Sequence, residues 1–252
     1  MNAVALFTTC LVDTLSPGVG RATVRILEAA GFGVDVPAAQ SCCGQPAVNS
    51  GEPRAAAVLA RHFVEVFEPY EAVVAPSGSC VAMVHHWYGQ ILEGTWRDRA
   101  AAVATRTHEV AGFLVERAGV SDVGARLATT VTVHDACHGL RLLGVKSAPR
   151  RLLEAAGATV VEMAEPEVCC GFGGTFAAAH GEISAPLADD KLAQAGVTGA
   201  DWLVAGDTGC LLHLEGRRRR SGVGPPAVHF VELLATGLPG SGPEPGPGPG
   251  AG

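Results

Sequence analysis

A duplicated cysteine pattern constrains this chain more than any other feature. Cys10 is followed by thirty-one residues and the adjacent pair Cys42-Cys43, then Gly44, and later Cys80. Cys137 is followed by thirty-one residues and Cys169-Cys170, then Gly171, and later Cys210. All eight cysteines of the 252-residue chain lie inside these two copies. Four thiols set twice at matching intervals point to thiolate chemistry, with metal binding the first reading.

The repeat extends beyond the sulfurs. Ile26-Leu27-Glu28-Ala29-Ala30-Gly31 recurs as Leu152-Leu153-Glu154-Ala155-Ala156-Gly157, and the stretch from Val73 to Cys80 is echoed from Leu203 to Cys210. Two homologous halves are therefore expected, residues 1–124 and 125–237. From Leu238 onward the sequence is mostly Gly and Pro, so residues 238–252 are expected to form a disordered tail.

Within each half, short apolar runs alternate with helical patterns. Val4 to Phe7, Val34 to Val36 and Ala72 to Ala75 read as strands, as do Thr130 to Val133, Thr159 to Val161 and Trp202 to Ala205. Val19, Thr23, Ile26, Leu27 and Ala30 fall at helical spacing, closed by Gly31. Pro53 suits the first turn of a helix with an apolar face of Ala56, Leu59, Ala60, Phe63, Val64 and Phe67. Alternating strands and helices imply an α/β fold of two pseudo-symmetric halves, each a small, mostly parallel sheet flanked by helices. Cys10 and Cys137 follow a first strand, the adjacent pairs a second, and Cys80 and Cys210 a third. Each quartet is thus expected at the C-terminal ends of the strands, where open α/β sheets bind ligands.

The bulk numbers narrow the function. A composition 48% apolar and 17% charged is that of a globular protein, and a net charge of −7 argues against general nucleic-acid binding. The basic run Arg217 to Arg220 reads as a solvated loop or a docking patch for an acidic partner. No basic leader with a long apolar run opens the sequence, and no stretch reaches the roughly 20 apolar residues of a membrane span. The expectation is a cytoplasmic protein, where thiols stay reduced or bind metal.

Four soft thiolates suit an iron–sulfur cluster or zinc. Gly44, and Gly171 with Gly173 and Gly174, would let backbone approach an inorganic core and donate N–H bonds to its sulfurs. Burial as small hydrophobes does not explain two equivalent adjacent pairs. A dithiol oxidoreductase lacks its CxxC motif at a helix start. No Ser–His–Asp, paired-carboxylate or P-loop arrangement is present, and Gly18-Val19-Gly20 lacks the third glycine of a dinucleotide fingerprint.

Phe7-Thr8-Thr9-Cys10-Leu11-Val12-Asp13, Cys42-Cys43-Gly44-Gln45-Pro46-Ala47, Pro76-Ser77-Gly78-Ser79-Cys80 and Cys169-Cys170-Gly171-Phe172-Gly173-Gly174-Thr175-Phe176 carry a resemblance. Residues 1 to about 236 resemble the cysteine-rich, CCG-domain iron–sulfur proteins, a group that includes a component of heterodisulfide reductase and, more narrowly, the lactate utilization protein A family. The resemblance implies a cytoplasmic electron-transfer subunit of an L-lactate-oxidising complex, forming pyruvate with two partner proteins, one of them another iron–sulfur protein. It implies a redox subunit rather than a complete enzyme. By the family pattern Cys10, Cys42, Cys43 and Cys80 would hold one centre, and Cys137, Cys169, Cys170 and Cys210 the other. Ser77 and Asp207 stand where the broader family has a fifth cysteine, which favours an ordinary [4Fe–4S] cluster over the non-cubane type. A closed tetrahedral thiolate site in the first half also suits zinc. A disulfide-reductase subunit and a zinc-stabilised interaction module are the rival readings.

Other polar residues give weaker signals. His134, Asp135 and His138 bracket Cys137 and could offer a second bond or a proton near the centre. His108 and His229 fall near the start of the last helix of a half, which favours structural roles. His85-His86 is expected on a solvent-facing helix, His62 on a polar helix face, and Asp13 stands alone after Cys10.

Overall fold

The computed structural model of the chain describes residues 3–240. Each half holds one four-stranded, all-parallel sheet. The first contains β1 (Ala3–Leu6), β2 (Gly33–Asp35), β3 (Val73–Ala75) and β4 (Thr107–Glu109), in the order β2-β1-β3-β4. The second contains β5 (Thr130–Val133), β6 (Thr159–Val160), β7 (Trp202–Ala205) and β8 (Ala227–His229), in the order β6-β5-β7-β8. The registers coincide: Leu6 pairs with Val74, and Val133 with Val204. The expected α/β architecture and the first three strands of each half are present. The fourth strands carry no sequence pattern that announces them. β4 and β8 are three residues each and run directly into a helix.

Alternation along the strands gives each sheet two buried faces. Val4, Val74, Val131, Val133 and Val204 point into one core shared by both halves. That core includes Ile26 and Leu27 of the helix Pro17–Ala29, Leu152 and Leu153 of Ser147–Ala155, and Phe230, Val231, Leu233, Leu234 and Ala235 of Phe230–Thr236. The last helix of the second half packs against the first long helix of the first half, so neither half closes its inner face alone. Leu238 is buried against this core as well. Residues 241–252 of the expected tail lie outside the described residues.

The outer faces differ. In the first half Ala5, Phe7, Val73 and Ala75 meet the helix Pro53–Phe67, which starts with Pro53 at its first position and buries Ala56, Ala60, Phe63, Val64 and Phe67. Phe7 stands edge-on to Phe63 at 5.0 Å and to Phe67 at 5.4 Å. Such pairs add about 0.5–1.5 kcal/mol each beyond burial. In the second half the matching helix Gly181–Val197 contributes Ala188, Leu192 and Ala195 to a smaller cluster without buried aromatic rings.

The halves also meet around Asp207. The helix Gly78–His86 approaches the helix Cys137–Leu143 so closely that a Cβ on Gly78 would lie 2.9 Å from the Gly139 Cα. Ser79 N–H donates to Asp207 Oδ2 at 2.9 Å, and Ser77 Oγ to the same oxygen at 3.3 Å. Beside this junction Glu109 is buried at 4% exposure. Its Oε2 accepts from Ala111 and Gly112 N–H, while Oε1 has no partner among the described residues, and Glu109 lines a cavity of about 30 Å³. Burial first, with the nearby Asp207 charge adding to it, pushes the Glu109 carboxyl up from 4.5 to about 7 against those two N–H bonds.

A carboxyl raised in this way binds its proton more tightly when folded. Stability from it is present at low pH and is lost as pH rises from about 4.5 through about 7, a total of about 3 kcal/mol at about 1.4 kcal/mol per unit. The variant E109Q is therefore expected to unfold at a higher temperature than the parent at pH 8, with little difference at pH 5. Parallel melting curves across that range would contradict the assignment.

Candidate metal centres

Each quartet is assembled from three strand ends. Cys10 opens the helix Cys10–Leu15 after β1, and Cys137 opens Cys137–Leu143 after β5. Cys80 and Cys210 are the third residues of the helices after β3 and β7. Ser77 and Asp207, where the broader family has a fifth cysteine, instead cap these helices: Ser77 Oγ accepts from Cys80 N–H, and Asp207 Oδ1 from Gly209 N–H. The adjacent pairs lie in the loops after β2 and β6. In the first half Gln40 ties that loop to the end of β1, accepting from Thr8 N–H at 2.7 Å and donating to the Leu6 carbonyl at 3.2 Å. Thr9, just before Cys10, has φ 72, a strained value for a β-branched residue.

All eight sulfurs are free thiols. Cys10 Sγ lies 3.4 Å from Cys42 Sγ, and Cys43 Sγ 3.4 Å from Cys80 Sγ. In the second half Cys137 neighbours Cys169, and Cys170 neighbours Cys210. Cys42 is held well below the ordinary thiol value by hydrogen bonds from Cys10 first and Cys43 second, and Cys169 likewise by Cys137 and then Cys170. Their partners Cys10, Cys43, Cys137 and Cys170 are pushed up, the sulfur–sulfur bond being the largest cause in each and burial adding to it. Each quartet thus gathers four soft donors at one sheet edge, the donor set that a soft metal takes.

The glycines after the pairs complete both cradles. Gly44 N–H donates to Cys42 Sγ at 3.4 Å and Gly171 N–H to Cys169 Sγ at 3.3 Å. Both glycines have positive φ, 90 and 88. A Cβ on Gly171 would also lie 2.4 Å from the Ser184 carbonyl oxygen, whereas at Gly44 its contacts begin at 3.4 Å. Gly44→Ala should cost about 1–2 kcal/mol from its backbone alone. Gly171→Ala should cost visibly more. Chemical denaturation of the two variants checks this, and equal losses would show that the tight contact relaxes freely.

The flanking residues divide into partnered and unpartnered. Asp135 is buried and gripped by Arg150 at 2.7 and 3.0 Å, so it is a structural carboxylate. His138 touches Cys137 Sγ at 3.6 Å and Gln45 of the first half at 3.4 Å. His134, 1% exposed, has no side-chain hydrogen bond of ordinary geometry on either ring nitrogen among the described residues. One of its nitrogens and the sulfurs of Cys170 and Cys210 all lie within 4.8 Å of one another. His229 caps the helix Phe230–Thr236 and contacts the Pro76 carbonyl at 3.2 Å, a structural role as read from the sequence. His108 packs on Phe113. His85 and His86 are exposed with their rings on backbone carbonyls, His62 rests on the Ala39 carbonyl, and Asp13 is exposed. The run Arg217–Arg220 is helical rather than a loop. It ends the helix Thr208–Ser221, with Arg217 paired to Asp189 and Arg218 and Arg219 to Glu215. Among the described residues no helix is long and apolar enough to cross a membrane.

Two sheets of the same order, each with four thiols and a glycine-backed cysteine pair at its carboxyl edge, define a protein of duplicated cysteine-rich domains. The sequence matches the cysteine-rich domain family CCG over residues 4–85 and again over 131–215. It is 47% identical over 233 residues to lactate utilization protein A of Macrococcus caseolyticus (strain JCSC5402), an alignment spanning 92% of this chain and 95% of that protein. The protein of the same name from Bacillus cytotoxicus (strain DSM 22905 / CIP 110041 / 391-98 / NVH 391-98) is 45% identical over 234 residues, 92% of this chain and 98% of that one. The chain belongs to the CCG cysteine-rich family and, within it, to the family of lactate utilization protein A.

Proposed function

We propose that this protein is an iron–sulfur electron-transfer subunit in lactate utilization, with one [4Fe–4S] cluster in each repeat. Cys10, Cys42, Cys43 and Cys80 would hold the first, and Cys137, Cys169, Cys170 and Cys210 the second. The observation that carries the reading is the double convergence of four free thiols onto the carboxyl edge of a parallel sheet. The residues suit such a group: four soft donors, a backbone N–H on one sulfur of each set, and no disulfide. When bound, a cluster supplies one-electron redox chemistry, while the protein sets its position and potential. The names of the relatives support a role in lactate utilization; on this reading L-lactate is oxidised to pyruvate by a complex in which the chain works with two partner proteins in the cytoplasm.

Protein purified without oxygen should be brown and should give a low-temperature EPR signal after one-electron reduction. In the presence of its partner proteins, L-lactate should reduce the same centres that dithionite reduces. Colourless, EPR-silent protein would remove the electron-transfer reading. Centres that dithionite reduces but L-lactate with the partners does not would remove the lactate assignment alone.

A further inference from the structure

The two quartets are alike, but the walls behind them are not. Phe7 and His134 occupy the same place in their sheets. Each follows the strand residue paired to the third strand, and each donates its N–H to the corresponding carbonyl, Val74 at 2.9 Å and Val204 at 2.8 Å. The helices behind the cysteine pairs can be superposed in register through the glycines. Gly44 faces Ala56 and Leu59, and Gly171 faces Ser184 and Leu187, so Phe63 corresponds to Lys191. The Phe7–Phe63 ring pair of the first half is therefore replaced in the second by His134 and Lys191, each 1% exposed. Ala56 is likewise replaced by Ser184, whose Oγ donates to the Gly171 carbonyl at 2.7 Å and contacts His213 at 3.1 Å.

Resting on the cluster reading above, we infer that His134 and Lys191 hold the second-half centre at a higher reduction potential than the first, so that an electron given to the chain settles in the second repeat. Reduction of either centre by one electron adds one negative charge at its sulfurs. In the first half that charge meets Phe7, Phe63, Phe67 and the buried Tyr88, whose hydroxyl is already committed to the Cys43 carbonyl at 3.0 Å. In the second it meets a buried ammonium, bonded only to the Glu165 carbonyl among the described residues, and an imidazole with one nitrogen within 4.8 Å of the Cys170 and Cys210 sulfurs. Hydrogen bonds to cluster sulfurs and nearby positive charge both stabilise the reduced form. Of the carboxylates within electrostatic range of Lys191, Asp135 is paired to Arg150 and Glu165 is bonded by Gln194.

The test is an EPR-monitored redox titration of the full chain, anaerobically reconstituted with iron and sulfide. It is run on the parent, on C42S/C43S and C169S/C170S to assign the two signals, and on H134F, H134Q, K191M and K191R. The parent should titrate in two steps, with the higher midpoint missing from C169S/C170S. H134F and K191M should lower that midpoint and leave the first-half centre unchanged. H134Q, which keeps an N–H donor, and K191R, which keeps the charge, should restore much of it and guard against a merely structural loss. Coincident midpoints, the reverse order, or a second-half midpoint that ignores both H134F and K191M would overturn the inference while leaving the clusters in place. A chain that takes up no iron in either repeat would overturn the cluster reading and this inference together.

Discussion

Removing the Arg150 guanidinium is expected to lower the unfolding free energy by about 3–5 kcal/mol, the usual cost of leaving a buried charge without its partner. Arg150 bridges two carboxylates: Asp135, whose side chain is 3% exposed, and Glu162, which is 48% exposed and contacts it at 2.5 and 2.9 Å. The exposed arm contributes little, since water can replace it. The buried arm decides the outcome. Asp135 lies between His134 and Cys137 in sequence, and its own N–H is bonded to the Pro166 carbonyl. Loss of Arg150 therefore strikes the loop that presents Cys137 and Cys169. R150M should unfold at markedly lower denaturant concentration, and R150M/D135N should recover much of the loss by removing the stranded charge. A double variant no better than R150M would show that packing of the arginine stem, rather than charge, carries the effect.

Changing the cysteine pairs is expected to produce the largest functional effect, and an independent one in each half. C42S/C43S should abolish the first centre and leave the second, with C169S/C170S giving the reverse. Serine is close in size to cysteine but is a poor ligand for soft metals, so the folds should survive while the ligand sets do not. Cys43 and Cys170 are buried within the outer clusters of their own halves, and the shared core contains no cysteine. Circular dichroism should stay close to that of the parent while half the visible absorption is lost. Loss of both centres from either change would show that the repeats load as one unit.

Much of the molecule is legible in the sequence because its periodicities are local. Val4 to Phe7, Thr130 to Val133 and Trp202 to Ala205 are short apolar runs bounded by polar or turn residues, and each forms a buried strand. The cysteine quartets are legible because each follows a strand, and strand ends of a parallel sheet share one edge. β4 and β8 are not legible. Thr107-His108-Glu109 and Ala227-Val228-His229 have no alternation to detect, and only pairing of His108 with Val74 and of Val228 with Val204 makes them strands. The arginine run misleads because Asp189, the partner of Arg217, lies on another helix, whereas Glu215, three and four residues before Arg218 and Arg219 on the same helix, is a partner that a helical spacing reveals. The unlike walls stay hidden for another reason: Phe7 and His134 differ by 127 positions, whereas Phe63 and Lys191 differ by 128. Lys191 leaves one trace. It sits among Ala188, Leu192 and Ala195 on a buried helix face, where a solvated lysine has no place.

The most direct test is elemental: iron, zinc and acid-labile sulfide counted per chain in protein purified anaerobically and reconstituted. Two cubanes require about eight iron and eight sulfide per chain, falling to about four of each when either cysteine pair is changed to serine. Zinc alone at one or two atoms per chain, with no labile sulfide, would contradict the account and leave two closed structural sites in its place.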